Sequence, residues 1–256
     1  MKNVLLISLL FINTTFAQNK TIKGVIEYEQ IITNNQDVIV QRYDLFFDRS
    51  NSYYEEVIER ELKKSQQKKE DGTILLSIRD NKKPQFYFNN LQKGFYFRET
   101  HYNKPLIVKE ENNQISWKLS NETKLLGGID CLKATAQFRG REYTAWFAKD
   151  IPVSFGPWKL NGLSGLIIEA YDSSGFFKVR ATKVSIGDSG KVSLKIKKIN
   201  LEKALTMTEF FNKKRNLEAD FIAQLNSRLP KGIKPFKIDK NCSDCGKELE
   251  VFNKNN

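Results

Sequence analysis

Three groups of side chains in this 256-residue sequence could do chemistry: one histidine, a scatter of carboxylates and three cysteines. His101, in FRETHYNKP, is the single imidazole. A general base is recognised by the groups it serves, and no motif surrounds this residue, so it reads as an edge-of-sheet histidine. Most protein zinc sites use histidines beside cysteines, and one histidine argues against such a centre. Glycoside hydrolysis needs only two carboxylates at a suitable separation, and Glu27, Glu29, Asp130, Glu169 and Asp172 all fall on or beside predicted strands. Glu169 alternates with Ile168 and Ala170, which would aim it into a cavity; on a half-wet sheet a solvated carboxylate is the ordinary outcome.

The cysteines are Cys131, Cys242 and Cys245, the last two in a C-x-x-C. A redox centre wants that motif at the start of a helix, where the thiolate is stabilised, but here it sits in a lysine-rich tail. A metal clip would have only Cys131 to add. The remaining reading is structural: a local 242–245 loop, or one tail cysteine joined to Cys131, with one thiol left over. Around Ser164 the order Gly162-Leu163-Ser164-Gly165 lacks the spacing of a nucleophile elbow. No phosphate loop or dinucleotide fingerprint occurs. The chain is therefore expected to have no catalytic residue, no metal and no cofactor, and to be a binder more readily than an enzyme.

The elements that would position these groups are strands. IKGVIEYEQII places Ile22, Gly24, Ile26 and Tyr28 on one face and Lys23, Glu27 and Glu29 on the other; RYDLFFD repeats the pattern with Tyr43, Leu45 and Phe47. Similar runs follow at 73–80, 85–90, 94–102, 105–111 and 114–119, bounded by Asn-Asn, Asp-Gly and Gly-Gly. Alternation with aromatic and β-branched residues between turn signals predicts antiparallel strands. Runs at 130–138, 141–148, 164–172 and 176–186 are longer, some apolar on both faces. In REYTAWFA, Tyr143 and Phe147 point one way and Trp146 the other, as in a strand covered on both sides.

One helix is predicted, over about 207–227. Thr206 and Glu209 form a capping box; Phe210, Leu217, Phe221 and Leu225 fall on one stripe, and Pro230 closes the segment. This helix is expected to cover the central strands. The expected fold is mainly β: a large curved antiparallel sheet of roughly ten strands, a half-barrel with one C-terminal helix packed against it. The polar KKSQQKKEDG stretch at 63–72 reads as a connector.

Residues 1–17 read as a secretory signal peptide: Lys2, an apolar run from Val4 to Ile12, and Thr15-Phe16-Ala17 as the cleavage site. Residues 18–235 form one expected β-rich domain and 236–256 a tail carrying the C-x-x-C. No later stretch is long and apolar enough to cross a bilayer as a helix. Delivery to the periplasm or beyond is the expected localisation. A net charge of +12 reads first as a solvated surface; the alternative in that setting is attraction to anionic lipid headgroups or acidic polysaccharide. Without an arginine-and-aromatic stripe, nucleic acid is not an expected partner.

GPWKLNGLSGLI, residues 156–167, reads as a corner between two strands. Gly156 and Pro157 make the turn, Trp158 and Leu160 pack inward, and Gly162 and Gly165 allow positive φ or close backbone approach. RGREYTAWFAKDIPVSFGPWKLNGLSGLIIEAYD resembles the signature region of the GLPGLI family, exported proteins of Gram-negative bacteria. The match runs through Cys131 with Lys133-Ala134-Thr135, then Gly140-Arg141, Tyr143, Ala145-Trp146-Phe147, Ile151-Pro152, Gly156-Pro157 and the hexapeptide Gly162 to Ile167, and ends at Asp172. Ser164 stands where the family has proline, which costs the corner some rigidity. The resemblance implies location and fold but brings no established activity. It also suggests the open half-barrels of periplasmic lipoprotein carriers.

The function expected from these readings is an exported binding protein of the cell envelope. It would hold a lipid or other hydrophobic ligand on the concave face, with Trp146, Trp158, Leu160 and Glu169 as candidate contacts. The alternatives are an accessory protein bound to an outer-membrane partner through strand edges or the 63–72 loop, and a glycan hydrolase built on Glu169.

Overall fold

The computed structural model describes residues 22–34, 37–58, 83–111, 114–187, 200–229, 232, 234–235, 237 and 249–250. The expected strand at 73–80, the 63–72 connector, the signal peptide and both tail cysteines lie outside them. Among the described residues there are eleven strands: β1 (Gly24–Asn34), β2 (Asp37–Phe47), β3 (Asn51–Glu56), β4 (Phe86–Asn90), β5 (Gly94–His101), β6 (Lys104–Glu110), β7 (Lys118–Leu126), β8 (Ile129–Phe138), β9 (Arg141–Ala148), β10 (Leu166–Asp172) and β11 (Phe177–Ile186). A single helix among the described residues, α1 (Met207–Ser227), follows.

All the strands belong to one antiparallel sheet in the order β6-β5-β4-β3-β2-β1-β11-β10-β9-β8-β7. The chain thus makes two meanders, β1–β6 and β7–β11, that meet where β1 pairs with β11 through Ile26↔Val184 and Gln30↔Val179. The two edge strands are joined by only the stretch between Glu110 and Lys118. A flat sheet of this width would put its edges roughly 48 Å apart at ordinary strand spacing. That connector reaches at most about 29 Å fully extended. The sheet must curl for the chain to close, and the curl makes one face concave.

Alternation decides what fills the concavity. Tyr28, Tyr43 and Tyr54 project into it from three neighbouring strands, and the last two stack with ring centroids 4.5 Å apart. From β8 to β11 it receives Ala134, Phe138, Tyr143, Ala145, Phe147, Ala170, Phe177 and Val179, all buried. The cover over this half is the loop between β9 and β10, which buries Val153, Phe155, Trp158, Leu160 and Leu163. Here the structure corrects an expectation: the helix does not cover β9. Its inner face is already occupied by the loop, and α1 packs instead over the β5–β6 hairpin. Phe210 meets Phe97 edge-on at 5.7 Å, and Phe221 stacks on Tyr102 at 4.5 Å.

The capping box forms as expected, with the Glu209 N–H donating to Thr206 Oγ1 and the Thr206 N–H to Glu209 Oε2. Just before it, Leu205 bridges to β6: its N–H donates to Ile107 O and its C=O accepts from the Lys109 N–H, both at 2.8 Å. This contact closes the β6 edge, which would otherwise offer unpaired backbone groups. Residues 114–117, expected to begin a strand, are irregular; Ile115 and Trp117 pack on the core and the Trp117 indole donates to Asn161 O at 2.8 Å. The strand starts only at Lys118.

Candidate functional site

The corner sequence is where the fold becomes a site. Gly165 approaches β9 so closely that a Cβ there would lie 2.3 Å from Ala148 O, and one at Gly156 would lie 2.6 Å from Leu160 O. No side chain fits either gap. Trp158 adopts φ +53°, a left-handed conformation that costs a bulky residue on the order of 1–2 kcal/mol. It is compensated by packing: the indole lies 5.4–5.9 Å from the rings of Phe138, Tyr143 and Phe177. The reversed backbone also breaks alternation, so Trp158, Lys159 and Leu160 are all buried in succession.

Lys159 is the unexpected one. Its side chain is 2% exposed, and Nζ lies 2.7 Å from Glu110 Oε2 and 2.7 Å from Glu250 Oε1. The ammonium also sits 4.1 Å from the centre of the Phe97 ring, a cation–π distance. Arg139, at the β8–β9 turn, pairs with Glu110 and approaches Glu250 Oε1 at 3.8 Å. A buried ammonium is tolerated only with close partners of opposite charge, and this one has carboxylates from β6 and from the C-terminal residues. Burial pushes the Glu250 carboxyl above its usual range; Lys159 and Arg139 oppose this and Glu110 adds to it.

Beside this cluster the concavity stays open. A cavity of about 310 Å³ lies between the sheet, α1 and the corner. Phe97, Phe210, Phe211, Trp158, Tyr87 and Ile32 supply aromatic and aliphatic walls. Gln30, Gln41 and Gln85 supply a row of amides from β1, β2 and the residue before β4. The row is pinned in place: Tyr54 donates to Gln30 Oε1, Tyr43 to Gln85 Oε1, and Gln41 Nε2 to Glu56 Oε1. Burial pushes the phenols of Tyr28, Tyr43, Tyr54 and Tyr87 well up.

Charge enters the cavity through Lys159, Lys214, Glu99 and Glu250. Burial would raise the Glu99 carboxyl, but His101 at 2.7 Å, with Lys214 and Lys159, holds it below the usual range. The single histidine is thus tied to a carboxylate at the cavity rim.

The four candidate contacts separate. Trp158 lines the cavity and Leu160 lies beneath it in the core. Trp146 and Glu169 are cross-strand partners on the opposite face. There Lys124 Nζ is 2.8 Å from Glu169 Oε1 and 5.4 Å from the Trp146 ring, and Lys178 approaches Glu169 Oε2 at 3.9 Å. A second, open pocket of about 630 Å³ is lined by Glu169, Ile168, Leu126 and Val184. Cys131 is a buried free thiol, pushed up to about 11 by burial, Asp130 and Glu169. Asp172 anchors the β10–β11 turn: burial would raise it, but the Phe177 N–H, Ser174 and Arg141 hold it below the usual range.

Sequence reasoning missed the ion cluster and the glutamine row. One signal was available: a lysine between Trp158 and Leu160 inside an otherwise apolar corner.

Among known proteins, the model of one family, described as a protein of unknown function (Porph_ging), matches residues 137–169. No curated protein matches. Among solved structures, PNGF-II is similar over 76% of this chain at 14% identity and a TM-score of 0.49. The chain spans about a third of that protein's length, 32% of it. A putative outer membrane lipoprotein-sorting protein domain from Vibrio parahaemolyticus is similar over 66% of this chain and 88% of its own, at 8% identity and a TM-score of 0.29. A LolA superfamily protein from Nitrosomonas europaea is similar over 66% and 88%, at 9% identity and a TM-score of 0.27.

Proposed function

We propose that this chain is a non-catalytic binding protein of the cell envelope that holds one small amphiphilic molecule in the concave-face cavity. The observation that carries the reading is the cavity itself, with aromatic walls on one side and pinned amides on the other. Apolar walls with a few fixed polar groups are the usual make-up of a small-molecule site. At about 310 Å³ it lies at the lower end of such sites, which run from about 300 to 1,000 Å³. A single short acyl chain or one ring system fits that size; a lipoprotein with several acyl chains does not. Export through the signal peptide at 1–17 and membership of the GLPGLI proteins belong to the same reading, supported by the ordered residues from Cys131 to Asp172. Among the described residues no helix is long and apolar enough to cross a membrane.

Native mass spectrometry of protein purified without detergent tests it. The expected spectrum shows an added mass, lost on organic extraction, whose occupancy falls when Phe211, which lines the cavity, is replaced by aspartate. A spectrum of bare protein that also takes up no added amphiphile would overturn it.

A second reading rests on β7. This edge strand is exposed along nearly its whole length, and Leu119 and Leu125 are 66% and 65% exposed. Such an edge suits a partner that adds a strand. Capture of an envelope protein by the wild type, lost when proline replaces Thr123, would support it.

A further inference from the structure

We propose that the ligand of the concave cavity carries a carboxylate head, and that Leu249 and Glu250 occupy its place when the cavity is empty. This rests on the binding function proposed above and names the class of ligand.

Leu249 and Glu250 both line the cavity, and they present to it what a carboxylate amphiphile would present. Leu249 packs an aliphatic group against the core. One residue on, the Glu250 carboxylate lies 2.7 Å from the Lys159 ammonium and 3.8 Å from Arg139 Nε. The backbone is held too, Leu249 O accepting from Arg141 Nε at 3.1 Å.

Their partners are of two kinds. Glu110 belongs to β6, is 1% exposed and is fixed by the sheet. Glu250 belongs to no strand or helix and is 17% exposed. Withdrawing it takes one negative charge from a cluster built on two cations. A bound carboxylate restores that charge at the same ammonium, next to the aromatic wall of Phe97 and Phe210, where its alkyl chain would lie. An alcohol or amide of equal length restores the apolar contact but not the charge. Charge-assisted hydrogen bonds are roughly twice as strong as neutral ones, so the site should choose the carboxylate.

Calorimetric titration of octanoate and of octanol into the full chain, into Glu250→Gln, and into a chain ending at residue 248 tests this. Glu250→Gln keeps the size of the side chain and Leu249 while removing the competing charge. It should bind octanoate about tenfold more tightly than the wild type, with octanol changed less than twofold. The shortened chain should improve octanol somewhat, through the loss of Leu249, and octanoate more. Equal gains for both ligands in both variants, or an octanoate affinity that Glu250→Gln leaves unchanged while octanol still binds, would overturn the inference and leave the binding function standing. Failure of every variant to bind either ligand would overturn both.

Discussion

The two halves of the concave face are made by one sheet and one pattern of alternation, yet one is a core and the other a site. Over β8–β11 the corner loop inserts Phe155, Trp158, Leu160 and Leu163 between rings that already point inward, and they pack into one buried cluster. Over β1–β5 the helix leans in from the β6 edge and contributes one fully buried side chain, Phe210. The gap that remains is lined by the inward positions at which the pattern turns polar: Gln30, Gln41, Gln85 and Glu99. A closed core needs cover that matches it in shape; a site needs cover that stops short and polar groups that hold one another in place. The halves meet at Lys159, which belongs to the corner but presents its charge to the open side.

That junction gives the largest expected effect. Glu110→Gln leaves the Lys159 ammonium buried with one carboxylate fewer. Removing one partner of a buried pair typically costs about 3–5 kcal/mol. Chemical denaturation should show a loss of that size, together with weaker ligand binding, because the cluster serves both halves. A near-neutral change would mean that the two halves are not joined through this charge.

Gly165→Val acts on the filled half alone. The added Cβ would stand 2.3 Å from Ala148 O, a backbone atom that cannot turn aside. Over-packing usually costs about 1–3 kcal/mol, and a clash with backbone falls at the upper end. The thermal midpoint should drop sharply while any protein that remains folded keeps its affinity. Unchanged stability would show that the glycine is not required by close approach.

How much of this was legible depends on the range over which each feature is decided. The cap at Thr206–Glu209 and the span of α1 are fixed by neighbours in sequence, and they were readable. β3 was not, because Asn51–Glu56 offers only two adjacent tyrosines and no alternation. The position of α1 was misread because its stripe says that it packs but not against what; the corner had already taken β9. Lys159 was hidden for a sharper reason. Period two would send it outward from between Trp158 and Leu160, and only the left-handed turn at Trp158 brings it in. Its carboxylate partners come from β6 and the C-terminal residues, a meeting that exists only once the sheet curls. The curl itself was derivable from the short connector between β6 and β7, given the strand order, and that order is a non-local fact.

The smallest expected effect is the one that separates the halves most cleanly. Thr206→Ala removes the oxygen that accepts the Glu209 N–H at 3.2 Å. Loss of such a cap costs about 1 kcal/mol, and the cost falls on α1. The sheet and the filled corner do not depend on that helix; the cavity does, since Phe210, Phe211 and Lys214 are its α1 wall. Amide hydrogen exchange should therefore rise along 207–227 and stay unchanged in β8–β11, and ligand affinity should fall by more than the global stability does. Thr206→Ser, which keeps the accepting oxygen, should restore both. If exchange rose equally over β8–β11, the helix would be part of one cooperative core, and the division between a filled half and an open half would describe the shape of the molecule without describing its energetics.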